Sequence, residues 1–265
     1  MHGVGVALGP LRVALRTRSE RYAELPRVRR LLRAPIIIGG CGRSGTTLLS
    51  SVLSCHPHVH PIDRETNAFS PAGYTARPDL SLPVRWDWLY LSVLRRGVQP
   101  DERHVCEKTP RNVRAFGRLL SRIPEARLIH IVRDGRDVVT SRHPLHPERG
   151  WYVSPRRWVE DVTAGLAHRD HPRVLTVRYE DLVLEYERVV RVLCAFLDLP
   201  ASDRFEEFPR HARMREHLAY RDRAVQPLSA RSIGRWRRHP ERARALIDLP
   251  EGAALLARLG YGEEA

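Results

Sequence analysis

The run Gly40-Cys41-Gly42-Arg43-Ser44-Gly45-Thr46-Thr47 has the Gly-x4-Gly frame of a phosphate-binding loop. It follows an apolar, β-branched run and precedes a helix-forming stretch, the context such a loop requires. Main-chain N–H groups there would face an anion at a helix N-terminus, where unpaired donors and the dipole favour negative charge. Thr46 stands where a nucleoside triphosphatase has the lysine that reaches the β- and γ-phosphates. The pattern argues against a triphosphate and for a shorter, less charged group held by Arg43 and the two threonines.

A second constellation closes the apolar run 127–132. Arg133 sits at its end and Ser141 eight residues later. This puts a cation at a strand's C-terminal edge and a hydroxyl about two turns into the next helix, so both can converge on one phosphate. Arginine suits that task because its planar fork donates bidentately. A nucleotide-hydrolysing enzyme would have a Mg-binding acid near this point; Arg133 occupies it, with Asp134 following. Lys108 is the only lysine among 45 basic residues and lies in Glu107-Lys108-Thr109-Pro110, which points to a role needing a compact ammonium. Arg136 and Asp137 read as structural or surface charges. His56, His58 and His60, flanking Pro57 and Pro61, read as a solvated cluster.

Gly42-Arg43-Ser44-Gly45-Thr46-Thr47-Leu48, followed by Ile131-Val132-Arg133-Asp134-Gly135-Arg136-Asp137-Val138-Val139-Thr140-Ser141, resembles the PAPS-dependent sulfotransferase family. In motif it is nearest the bacterial and tyrosylprotein-sulfotransferase-like branch. The resemblance implies that Gly42, Arg43, Ser44, Gly45, Thr46 and Thr47 grip the 5′-phosphosulfate of 3′-phosphoadenosine 5′-phosphosulfate (PAPS), and that Arg133 and Ser141 grip its 3′-phosphate. Arg178-Tyr179-Glu180-Asp181-Leu182 looks like the family segment whose tyrosine approaches the nucleotide, with a packed structural Tyr179 as the alternative. Arg231 to Trp236 loosely resembles the segment that covers the nucleotide, which brings Arg231, Gly234 and Arg235 to the 3′-phosphate.

The same resemblance assigns Arg43 to the leaving oxygen and Lys108 to the phosphosulfate. Cytosolic aryl members use a His as base within Lys-Thr-His-Leu-Pro; the comparable stretch here has none. Arg64-Glu65-Thr66 resembles the tyrosylprotein branch, where the Glu before Thr is the base. Glu65 is therefore the first candidate, and Glu107, by likeness to carbohydrate members with Glu-Lys-Ser, the second. The implied reaction is in-line sulfuryl transfer from PAPS to a hydroxyl or amine, with 3′-phosphoadenosine 5′-phosphate (PAP) as product and no metal. Sugar, lipid, peptide and small phenolic acceptors all stay open. The alternatives are a P-loop nucleoside or sugar kinase, and a non-catalytic basic protein binding nucleotide or polyanion. No nucleic-acid reader motif stands in the sequence.

These residues need a parallel scaffold. Apolar runs at 34–38, 104–106, 127–132 and 173–177 alternate with helical stretches at 45–54, 111–122, 135–142 and 183–197. That alternation predicts an α/β, P-loop-like three-layer fold with a central parallel β-sheet flanked by helices. Residues 34–265 are expected as one domain, preceded at 1–33 by a basic arm or helix that lies on the surface or touches a membrane. The proline-rich stretch 61–102, with Trp86, Trp88 and Tyr90, is an excursion of the kind that builds acceptor sites. Together with Trp151 and Tyr152 its aromatics either line such a site or fill the core. Composition agrees: 42% apolar residues can bury a full core, and a net charge of +14 suits an anionic partner. The four cysteines have neither metal-ligand nor disulfide spacing and are expected as buried thiols. No apolar run reaches the roughly 20 residues that span a bilayer, so a cytoplasmic bacterial protein is expected.

Overall fold

Three consecutive isoleucines, Ile36 to Ile38, cannot all face one layer of a strand, because successive side chains alternate between the two faces. The computed structural model, which describes residues 25–69, 83–143, 146–214 and 226–262, resolves this with layers on both sides. Strand β1 (Ile36–Gly40) is buried throughout. Ile37 joins one core with Leu128, Val105 and Phe116, while Ile36 and Ile38 join another with Leu49, Leu53 and Ile129. A continuous apolar run is the signature of such a doubly covered strand.

The sheet holds β2 (Val59–Pro61), β3 (His104–Lys108), β1, β4 (Arg127–Val132) and β5 (Val174–Arg178) in the order β2-β3-β1-β4-β5, all parallel. The connection leaving β1 runs towards β2 on one side and the one leaving β4 towards β5 on the other. The topological switch point therefore falls between β1 and β4, and ligands of open α/β sheets bind outside the carboxyl ends of strands at such a point.

Helices α1 (Leu25–Arg33), α3 (Trp86–Arg96) and α4 (Phe116–Arg122) cover one face. The other is covered by α2 (Thr46–Leu53), α7 (Tyr179–Leu184) and α8 (Tyr186–Leu197). A third cluster near the carboxyl edge joins α5 (Gly135–Val139), α6 (Pro155–Leu166), α9 (Pro240–Ile247) and α10 (Pro250–Arg258) around Trp158 and Leu246.

Several expectations shift in detail. Helix 111–122 begins as a 3-10 turn over Pro110–Ala115, and helix 183–197 is two helices broken at Glu185 (φ −126, ψ 42). The three-residue β2 was not expected. Helix α1 buries Val28, Leu31 and Leu32 in the first core and turns its arginines outward, so its apolar face is already used. Trp86, Trp88 and Tyr90 pack against that core as well. Residues 1–24 of the basic arm, 70–82 of the excursion and 215–225 of the arginine-rich stretch lie outside the described residues. Among the described residues no helix is long and apolar enough to cross a membrane.

The histidine expectation is corrected. His56 and His60 are fully buried: His56 Nε2 lies 3.0 Å from the Pro200 carbonyl, and His60 Nδ1 lies 2.6 Å from Glu102 Oε2. The short strand β2 carries His60 into the sheet, which spacing around prolines did not disclose.

Candidate active site

Gly45 ends the first loop in the left-handed region, at φ 97, and opens α2 without a side-chain cap. The first hydrogen bond of the helix runs from Leu49 N–H to the Gly45 carbonyl, so the N–H groups before it point out of the helix end, where an anion would sit. Gly45 is required twice over, since a Cβ there would lie 2.5 Å from the Tyr179 ring. Arg43 takes φ 72 without being glycine, a strained conformation of the kind that collects at functional sites.

A cleft of about 950 Å³ opens above this loop at the switch point. It collects Gly42, Arg43, Gly45, Thr46, Thr47, Glu65, Arg133, Tyr179, Arg231 and Arg235, residues spread over nearly 200 positions of sequence. Ser44, between Arg43 and Gly45, is fully buried. Arg133 reaches the carbonyls of Arg43, at 3.3 Å, and Ser232, and its guanidinium lies 4.4 Å over the Tyr179 ring. Arg235 donates to Ser141 Oγ, which itself donates to the Asp137 carbonyl at 2.8 Å. Asp134 is turned away from the cleft into a fork with Arg136, at 2.9 Å.

Asp137 organises this end, a role its sequence position concealed. It is fully buried. Its Oδ1 accepts the Trp236 N–H at 2.9 Å, and its Oδ2 accepts the Gly234 N–H at 2.9 Å and Arg133 Nη2 at 3.4 Å. It therefore ties Arg133 to the segment that carries Arg235. The cluster is electrostatically tense: burial, then Arg133 and Arg43, lower Arg235 to about 10. The Nε of Arg133 and of Arg235 and the Ser44 hydroxyl are buried without a hydrogen-bond partner. Like charges and orphaned donors at one point are what an anion relieves.

At the other end, Lys108 Nζ meets Glu65 Oε1 at 2.9 Å; the lysine side chain is fully buried and that of Glu65 is 14% exposed. Glu107 does not share the cleft. It is fully buried, and its oxygens accept from the N–H and hydroxyl of Thr66, the hydroxyl of Thr109 and the amide of Asn112. Burial pushes its carboxyl upward while those donors pull it back. Tyr152, which spacing left open between acceptor site and core, lines the cleft beside Gly42, where a Cβ would come within 3.0 Å of its ring. Burial raises its hydroxyl above the usual range; the charge of Arg157 opposes this, and the nearby Glu65 adds to it. Arg142 lies over Trp151 at 3.9 Å and, with His143, Arg238 and His239, completes the rim. No residue pattern announced these rim positions.

A model of the sulfotransferase family matches residues 35–203, more than half of the chain. Protein-tyrosine sulfotransferase 1 of Danio rerio is 28% identical over 87% of this chain and 73% of its own length. Protein-tyrosine sulfotransferase 2 of Gallus gallus is 26% identical over 85% and 69%. The solved sulfotransferase domain from the Synechococcus PCC 7002 olefin synthase shares the fold with a TM-score of 0.58 and 18% identity, over 86% of this chain and 94% of that one. With a phosphate loop lacking the triphosphatase lysine at the switch point of a parallel sheet, and with that match across its core, the chain belongs to the sulfotransferase family and is a sulfotransferase enzyme.

Proposed function

We propose that the cleft binds PAPS and passes its sulfuryl group to an acceptor hydroxyl. The observation that carries this is the convergence of Arg43, Arg133 and Arg235 with buried, unmatched donors on Ser44, Arg133 and Arg235. These residues fit a ligand with two separated anionic groups. Gly42 to Thr47 would hold the 5′-phosphosulfate, and Arg133, Ser141, Arg235, Gly234 and Arg231 the 3′-phosphate, with Tyr179 beside the nucleotide. PAPS supplies an activated sulfur whose leaving group is a phosphate oxygen.

The residues of the chain do the rest. Glu65 takes the acceptor proton as the acceptor oxygen bonds to sulfur, and Lys108 holds Glu65 in place. Arg43 stabilises the charge that gathers on the phosphate oxygen as its bond to sulfur breaks, and PAP departs. A tyrosyl hydroxyl in a peptide is the acceptor to try first, because the Danio rerio and Gallus gallus relatives are protein-tyrosine sulfotransferases.

The deciding experiment is calorimetric titration with PAP against ATP and Mg²⁺. Micromolar PAP binding with ATP at least ~10-fold weaker is expected, a preference of about 1.4 kcal/mol; the reverse order would overturn the reading and favour a kinase. Glu65→Gln should keep PAP affinity and lose ~100-fold or more in turnover of a tyrosine-containing peptide. Near-normal turnover would remove Glu65 from the role of base.

A further inference from the structure

Glu107 and Lys108 are adjacent on β3, so their side chains leave on opposite faces of the sheet. Val105 accordingly lies in the first core and Cys106 in the second. Lys108 meets Glu65, which lines the cleft. Glu107 instead engages the chain immediately beyond Glu65 from behind. Its Oε1 accepts the Thr66 N–H at 3.1 Å, the Thr66 hydroxyl at 2.8 Å and the Thr109 hydroxyl at 2.6 Å. Its Oε2 accepts Asn112 Nδ2 at 2.6 Å.

The hydroxyls pass this hold along. Thr109 Oγ1 accepts the Asn67 N–H at 3.2 Å, and Thr66 Oγ1 accepts the Ala68 N–H at 3.1 Å. Asn112 Nδ2 also donates to the Ile38 carbonyl at 3.2 Å, which anchors the network to the central strand. Thus the residue after Glu65 and the residue after Lys108 both end on one carboxylate oxygen.

We propose that Glu107 is the positioning residue of the Glu65–Lys108 pair. It clamps the two segments that carry the pair and holds the base against its cation. This rests on the reading of Glu65 and Lys108 as the reacting pair. A buried carboxylate is a poor way to gain stability alone, since an apolar residue of similar volume does as well or better. Placement gives it value, because a base displaced by about 1 Å can lose ~100-fold in rate.

Lys108 is the only lysine of the chain, so reductive methylation followed by peptide mass spectrometry reads its exposure directly, with the N-terminal amine as internal standard. The variants are Glu107→Gln and Thr109→Val, with Thr109→Ser as the conservative partner that keeps the hydroxyl. In the wild-type protein and Thr109→Ser, Lys108 should methylate slowly. In Glu107→Gln and Thr109→Val its rate should rise ~10-fold or more through local opening, with PAP affinity within about threefold of wild type. Turnover of radiolabelled PAPS with a tyrosine-containing peptide should fall ~30-fold or more in kcat at unchanged KM for PAPS, and Thr109→Ser should restore it.

Wild-type methylation and kcat within about twofold in both variants would overturn the clamp. So would a joint fall in melting temperature and PAP affinity in Thr109→Val, which marks an ordinary packing role. Failure of the sulfotransferase reading is separately visible as absent PAP binding in the wild-type protein, and the methylation result stands independently of it.

Discussion

Replacing Asp137 by Asn tests whether the C-terminal segment is part of the nucleotide site. The substitution keeps shape but turns one carboxylate oxygen into an NH2 group. Both oxygens accept main-chain N–H groups at 2.9 Å, from Gly234 and Trp236, so in either orientation the new donor faces a donor and one bond is lost. A hydrogen bond to a charged group contributes about 1.5–3 kcal/mol. The destination of that loss depends on what the bond holds. Segment 232–236 lies almost 100 residues from Asp137 and carries Arg235, whose guanidinium meets Ser141. If the segment closes over bound nucleotide, the loss falls on the complex, and PAP affinity should weaken by ~10- to 150-fold at about 1.4 kcal/mol per decade. An opposing effect has the other sign: Asp137 also faces Arg133, at 3.4 Å, and removing its charge would free that arginine for a phosphate. The two backbone bonds are shorter than this ion pair, so weakening should win. Calorimetry with PAP on the wild-type protein and Asp137→Asn, alongside melts with and without PAP, reads the sign. Unchanged or tighter PAP binding with a lowered melting temperature would refute the reasoning and make Asp137 only a support of the fold.

Two further substitutions separate function from stability. Arg43→Gly removes a cation and also relieves a left-handed backbone; about 1–2 kcal/mol of strain is regained against ~0.5–1 kcal/mol of unfolded-state entropy. The melting temperature should hold or rise by up to a few degrees while turnover falls ~100-fold or more, and a clear drop in melting temperature would show that the arginine is structural. Burial lowers His130 to about 3, so the unfolded chain takes its proton near pH 6.5 and the folded chain does not; stability is then lost as pH falls, by about 3 kcal/mol from this group between pH 6.5 and 4. His56, lowered to about 4 chiefly by burial, acts in the same direction. His130→Leu should lose ~3 kcal/mol less than the wild-type protein between pH 7 and 4 in urea unfolding, and equal losses would mean that His130 protonates without unfolding.

What the sequence disclosed was local. Gly40 to Thr47 needs only its own glycines and the strand and helix at its ends, so spacing discloses the loop, while Arg133 and Ser141, one helix apart, stand out by resemblance to the family motif. The paired runs at 34–38 and 127–132 were readable because a strand buried on both faces is apolar without interruption. Segment 226–239 was largely opaque for the opposite reason. Its hold on the site runs through main-chain N–H groups of Gly234 and Trp236 and through the Ser232 carbonyl, which no side-chain pattern encodes. The three residues of β2 are set by pairing with β3, and the break at Glu185 is marked by no nearby glycine or proline.

Acidic residues were the hardest to read, and their partners show why. Glu107 beside the lone lysine looks reactive, and Asp137 inside an arginine motif looks like a structural or surface charge; both are fully buried and accept from residues far away in sequence, Thr66 for Glu107 and Gly234 and Trp236 for Asp137. Glu65, the first candidate for the base by resemblance, is the carboxylate that reaches the cleft wall, with a cation at 2.9 Å. A buried carboxylate is tolerated when it accepts several hydrogen bonds, and each of those bonds favours its unprotonated form. The same physics that makes Glu107 and Asp137 rigid supports therefore withdraws them from acid–base work. On the proposed mechanism that work falls to Glu65, the carboxylate that lines the cleft among the described residues, and removal of the two buried carboxylates should have separable effects, on turnover for Glu107 and on nucleotide affinity for Asp137.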